Sequence, residues 1–194
     1  MIKVGLTGGI GSGKTVVASL LELMGIPVYI ADEESKRLTD TSPSIHDKLT
    51  AIFGENIYTS SGLDRKLLAS YIFNDTELLH AVNQIIHPEV NRHFLNWAAQ
   101  QTTDICVIES AILFESGFDK IVDIRLMVYA PLEIRITRAC QRNSDISPQE
   151  IKKRIENQLP DEQKKEWADY TILNDNITAL TPQVQDFISF IRSR

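Results

Sequence analysis

The sequence predicts an α/β fold, a parallel sheet covered by helices on both faces, and three observations predict it. Five short runs are almost wholly apolar, as strands buried on both faces require. Segments with apolar residues at helical spacing separate those runs. No internal repeat, low-complexity tract or long Pro/Gly linker breaks the order, so a chain of 194 residues is expected to build one core.

Ile2 to Thr7 reads as the first buried strand. Lys14 to Met24 follows as a helix with Val17, Leu20, Leu21 and Met24 on one face, and Gly25 ends it. Pro27 to Ala31 is the second strand, and Ile105 to Ile108, Ile124 to Tyr129 and Tyr170 to Leu173 are the other three. About seventy residues separate strands two and three, far more than one crossover helix needs. Their pattern is almost wholly helical, broken at Pro43, Gly54 and Gly62, and reads as an inserted helical lobe. A polar excursion from about Cys140 to Pro160 has the composition of a mobile flap. Thr181 to Ile191 is the last amphipathic helix, expected to pack on the sheet.

Composition excludes several classes of function. The formal net charge of −6 argues against broad nucleic-acid binding, which needs excess Lys and Arg to neutralise phosphates. The apolar runs fall well short of the roughly 18 to 20 residues that cross a bilayer. No membrane partner is expected. Met1 leads directly into a strand-like run without a signal-peptide pattern, so a cytoplasmic protein is expected. The two cysteines, Cys106 and Cys140, belong to no CxxC or Cys/His cluster and read as buried thiols.

Gly8-Gly9-Ile10-Gly11-Ser12-Gly13-Lys14-Thr15 satisfies GxxxxGK[ST], and it stands between a strand and a helix as that motif requires. Glycines let successive backbone N–H groups converge on phosphate oxygens, and the helix N-terminus adds partial positive charge. Lys14 is placed to contact the β and γ phosphates, and the Thr15 hydroxyl to ligate Mg²⁺. The dinucleotide fingerprint GxGxxG fails, because Lys14 follows Gly11 at the position where it needs glycine or alanine. A regulatory GTPase would carry NKxD and DxxG segments, and neither occurs. A motor ATPase would need an acidic strand end, which Asp104 to Glu109 partly resembles, and usually a longer chain.

A small-molecule kinase needs a lobe for the acceptor and cations on a flap that excludes water. Asp32, after the second strand, suits the base that takes the acceptor's proton or a group that helps hold Mg²⁺; an N-cap for the helix over Glu33 to Leu38 is an equal reading. Arg138 and Arg142 lie four apart on one helix face, as a phosphate clamp or as a solvated basic face.

Taken together, the residues resemble the dephospho-CoA kinase family along nearly the whole chain. The likeness rests on Gly5 to Thr15, Ala31-Asp32, Leu63-Asp64-Arg65, His87-Pro88 and Leu113-Phe114-Glu115. It continues through Arg138, Arg142, Gln158, Ala168-Asp169 and Asn174 in the family's order. The resemblance implies a doubly wound P-loop kinase fold with five parallel strands, with core segments 1–31, 101–138 and 161–194, a CoA-binding lobe at about 32–100 and a lid at about 139–160. It implies ATP and Mg²⁺ as cosubstrate and metal, and phosphorylation of the 3′-hydroxyl of dephospho-CoA to give coenzyme A and ADP. ATP would be bound by Gly9, Gly11, Ser12, Gly13, Lys14, Thr15 and Val16, with Asn174 near the adenine end. Asp32 would be the base, Lys14, Arg138 and Arg142 the catalytic cations, and Arg65 and His87 would face the acceptor. For Arg65 a salt bridge between helices, and for His87 a helix-capping imidazole, read equally well. The family often has Asp where this chain has Ile30 and Pro where it has Ala111; the first departure removes one of a pair of carboxylates. A nucleoside or nucleotide kinase with another acceptor is the runner-up, and monomer and homo-oligomer both stay open.

Overall fold

The computed structural model describes residues 1–142 and 147–193. The chain divides into two compact units, Met1–Tyr29 with Gln101–Arg194, and Ile30–Gln100. In the first, among the described residues, strands β1 (Ile2–Thr7), β2 (Val28–Ile30), β5 (Ile105–Glu109), β6 (Ile124–Tyr129) and β7 (Tyr170–Leu173) form a sheet in the order β2-β5-β1-β6-β7. β1 is central, parallel to β5 on one side and β6 on the other, and β7 lies parallel to β6. Val4 stands opposite Val107 and Ile124; β5 ends at Glu109 opposite Leu6, and β6 runs two residues past Met127, the partner of Thr7 at the end of β1. That end is the switch point of the doubly wound sheet, where such folds bind ligands.

Every residue of β5, and Val4 through Thr7 of β1, is buried, as expected of strands covered on both sides. Helix α1 (Lys14–Leu23) packs Val17, Ala18 and Leu21 into the core formed by Val4, Leu6, Val107, Leu126, Val128 and Ile172. Helix α9 (Leu180–Arg192) adds Val184, Phe187 and Ile191. Truncating a fully buried residue such as Leu21 to alanine would cost about 2–5 kcal/mol. Helix α1 stops as its sequence predicts: Gly25 N–H donates to Glu22 O and Ile26 N–H to Leu21 O, a Schellman pair. The same unit carries α6 (Leu132–Arg142), α7 (Pro148–Glu156) and α8 (Asp161–Trp167). Residues 143–146, inside the expected lid, lie outside the described residues. α7 opens with a capping box between Ser147 and Glu150.

The second unit is helical except for one hairpin, β3 (Tyr58–Thr59) with β4 (Gly62–Leu63), where the sequence shows only breaks. Its helices are α2 (Ala31–Thr41), α3 (Pro43–Phe53), α4 (Arg65–Ile72) and α5 (Thr76–Ala99). Short polar side chains start three of them: Ser42 accepts from Ile45 N–H, Asp64 from Lys66 and Leu67, and Asp75 from Leu78. Ile45, Leu49, Leu68, Val82, Val90 and Phe94 fill the core between them. No helix among the described residues is long and apolar enough to cross a membrane.

Cys106 is buried in β5, whereas Cys140 in α6 is only partly buried, which corrects the expectation of two buried thiols; both are free. The second strand ends at Ile30 and Ala31 already belongs to α2, so the expected strand is one residue too long at each end.

Candidate active site

The loop between β1 and α1 wraps the N-terminus of α1. Gly13 sits at the N-cap with φ 95°, a left-handed conformation that strains any residue with a Cβ. The turn closes through Ser12 N–H to Gly9 O at 3.1 Å, and α1 begins with Val16 N–H on Gly13 O. Lys14 bends back over the loop: its ammonium donates to Gly8 O at 2.9 Å and stands 3.8 Å from the carboxylate of Glu109. Glu109 ends β5 and is buried. Thr15 is exposed at the first turn of α1, with Val16 exposed beside it. Ser12 Oγ is buried without a hydrogen-bond partner among the described residues. A glycine-lined turn, an orphaned hydroxyl, a lysine at the mouth and an exposed threonine at the helix N-terminus fit a triphosphate with its Mg²⁺. The Thr15 hydroxyl is an oxygen donor of the kind such an ion takes, and the ion needs few protein ligands. No group of three His, Cys, Asp or Glu among the described residues forms a metal cluster of its own.

Asn174 and Arg138 grip the back of the loop. Asn174 is buried just beyond β7 and donates from Nδ2 to Ser12 O at 2.8 Å. Arg138 donates to Asn174 Oδ1 at 3.0 Å, to Ser12 O at 3.4 Å and to Asn176 Oδ1. A hollow of about 340 Å³ opens here, lined by Glu133, Ile134, Thr137, Arg138, Gln141 and Asn176. Arg142 is exposed at the last residue of α6, one turn beyond Arg138.

Two groups at this loop, Arg135 and Asp161, were missed in the sequence. Arg135, on the same face of α6 as Arg138, is buried and stands 3.1 Å from the carboxylate of Asp161. Its signal was the 135, 138, 142 spacing, which repeats at three and four residues. Burial raises the Asp161 carboxyl above the usual carboxylate range, against the opposing pull of Arg135, Lys164 and Lys14. Gln158 accepts a hydrogen bond from Ile10 N–H at 3.2 Å, so the segment between α7 and α8 touches the loop. Lys164, fully buried, donates to Ala111 O at 2.9 Å and pairs with Glu115 at 3.1 Å, and Glu115 also accepts from Leu159 N–H at 3.0 Å. Ala111, which stands where the family often has proline, thus uses its carbonyl to anchor α8.

In the second unit, Asp32 is the second residue of α2 and is exposed. The N-cap position belongs to Ile30, so the capping reading of Asp32 does not hold. Arg65 at the start of α4 reaches α2, bonding Asp40 at 2.6 Å and Lys36 O at 2.8 Å. Asp40 also accepts from Leu63 N–H; burial pushes its carboxyl up, but the bonds from Arg65 and Leu63 outweigh it and leave the pKa lowered. His87 lies inside α5, not at a cap, and burial lowers its pKa.

A glycine-lined loop after a central parallel strand, its lysine folded over it, and arginines on a following helix define the class of P-loop kinases. The model of the dephospho-CoA kinase family, CoaE, matches residues 2–179. The dephospho-CoA kinase of Bacteroides fragilis (strain YCH46) is 48% identical over 191 residues, spanning 98% of this chain and 93% of the relative. That of Porphyromonas gingivalis is 41% identical over 194 residues, covering 100% and 96%. The crystal structure of TT1252 from Thermus thermophilus superposes with a TM-score of 0.83 at 31% identity, covering 99% of this chain and 96% of that one. The chain belongs to the dephospho-CoA kinase family.

Proposed function

We propose that the protein transfers the γ-phosphoryl group of ATP to the 3′-hydroxyl of the ribose of dephospho-CoA, giving coenzyme A and ADP. The observation that carries the acceptor is the family match across residues 2–179, which takes in the phosphate loop and the whole helical unit. The loop geometry supports the donor.

In this reading the loop from Gly9 to Val16 holds the triphosphate, and Lys14 follows charge from the β to the γ phosphate. Mg²⁺, when bound beside Thr15, neutralises phosphate oxygens. Asn174 stands toward the adenine end, and Arg138, which lines the 340 Å³ hollow, is with Lys14 and Arg142 a catalytic cation. Arg142 and the lid at about 139–160 exclude water, so that the acceptor and not water is phosphorylated. The unit over about 32–100 holds dephospho-CoA, with Arg65 and His87 on the acceptor's side. Arg65 also braces α4 on α2, and a residue can serve both roles. Asp32 accepts the proton of the 3′-hydroxyl as its oxygen bonds to phosphorus and the β–γ bridging bond breaks, leaving ADP. The enzyme would act in the cytoplasm without a nucleic-acid or membrane partner, consistent with a net charge of −6.

The test is an acceptor panel. The protein is incubated with ATP, Mg²⁺ and either dephospho-CoA or a set of nucleosides and nucleoside monophosphates, and ADP is measured. ADP release dependent on dephospho-CoA is expected; release dependent on a nucleoside or nucleotide instead would favour the other kinase reading.

A further inference from the structure

Behind the phosphate loop lies an ion pair that takes no part in the transfer itself. Arg135 is 5% exposed, and its Nη1 stands 3.1 Å from Asp161 Oδ2. Both groups press on the loop: a Cβ at Gly9 would collide with Arg135 Nη1 and fall 2.6 Å and 2.8 Å from the two carboxylate oxygens of Asp161. The backbone carbonyl of Arg135 lies against Gly11 in the same way. Between them, Ile10 N–H is held by Gln158, three residues before Asp161. Three successive loop residues are thus backed by one buried arginine and the segment that leaves the lid.

We propose that Arg135 and Asp161 form a positioning pair that holds Gly9 to Gly11 in the conformation that receives the triphosphate. The proposal rests on the reading of this loop as the nucleotide site. A glycine-rich segment has the most backbone freedom to lose, so its bound shape must be imposed by neighbours. A buried ion pair suits that task, because removing either partner leaves an uncompensated charge that has to move or hydrate. The contact is close without forming an aligned hydrogen bond: Arg135 Nε and Nη1 and Asp161 Oδ2 are buried with no hydrogen-bond partner among the described residues. The pair therefore holds its place by charge and packing. Burial already drives the Asp161 carboxyl toward its neutral form, and the guanidinium opposes that shift. Because Asp161 opens α8, the pair also ties the loop to the end of the lid.

The test measures ATP binding by calorimetric titration without acceptor, beside thermal melting, for wild type, R135Q, R135K, D161N and R135Q/D161N. R135Q and D161N are each expected to weaken ATP binding by about tenfold or more, with R135K between them and wild type. The double variant, which leaves no lone buried charge, is expected to recover to within about threefold of wild type. In turnover assays the loss should appear in KM for ATP, with kcat at saturating ATP preserved. Lowered melting temperatures with unchanged ATP affinity would overturn the proposal, as would a double variant no better than the product of the singles. A wild-type protein that binds no ATP would instead overturn the nucleotide reading on which the pair depends.

Discussion

Replacing Lys164 with methionine tests the link between α8 and the loop after β5. Methionine fills nearly the same space but removes the ammonium that donates to Ala111 O and pairs with Glu115. Breaking a fully buried pair from one side costs about 3–5 kcal/mol. Glu115 retains 24% of its side-chain exposure and still accepts from Leu159 N–H, so its charge can hydrate and its cost lies below that range. The Ala111 carbonyl, by contrast, loses its lysine donor at a penalty of about 1–3 kcal/mol. With about 1 kcal/mol for the partly exposed Glu115 and about 2 kcal/mol for the carbonyl, the loss is about 3 kcal/mol, and for a chain of this size each kcal/mol moves Tm by about 2–4 °C. Scanning calorimetry should therefore show Tm lowered by about 6–12 °C. A second substitution, Glu115→Gln, should restore part of that loss by removing the unpaired carboxylate. A Tm for Lys164→Met within about 2 °C of wild type would refute the reasoning, since it would mean the buried ammonium is no better than a thioether there.

Three further outcomes are expected. Asp32→Asn should lower kcat at least about a hundredfold with little change in ATP affinity, and near-normal turnover would remove Asp32 from the role of base. Gly13→Ala places a Cβ at φ 95° and against Asn174 Nδ2, so direct titration should show ATP affinity falling by about tenfold or more; an unchanged affinity would mean the loop relaxes freely. His87 has a folded pKa below its ordinary value of 6.5, so the unfolded chain binds the proton more readily. Its stabilising contribution is complete above pH 6.5 and lost as pH falls below it; urea melts at graded pH should show a decline that His87→Gln flattens.

The strands were legible because their physics is local. β1, β6 and β7 have the limits that their apolar runs suggest, and the phosphate loop could be read because its backbone admits few residue types at each turn. The start of α2 was misread since Asp32 is a good cap in isolation. Asp32, Glu33 and Glu34 all sit in the first turn instead, where carboxylates favour the positive end of the helix dipole. The hairpin over 58–63 left only a glycine as its signal, because two-residue strands have no periodicity to detect. Arg135 and Lys164 were hidden for another reason. Each occurs in a run that reads as a polar helix face, and each is buried where a carboxylate distant in sequence meets it: Asp161 for the first, Glu115 for the second. A buried cation is a property of tertiary pairing, and a single helix pattern does not contain it.

In the proposed reaction the phosphoryl group arrives on the 3′-oxygen of the dephospho-CoA ribose. Nuclear magnetic resonance of the product made from ATP and dephospho-CoA measures this directly. A new phosphorus signal coupled to the ribose H3′ proton is the result expected here. Coupling to H2′, or ADP and free phosphate with dephospho-CoA unchanged, would contradict it.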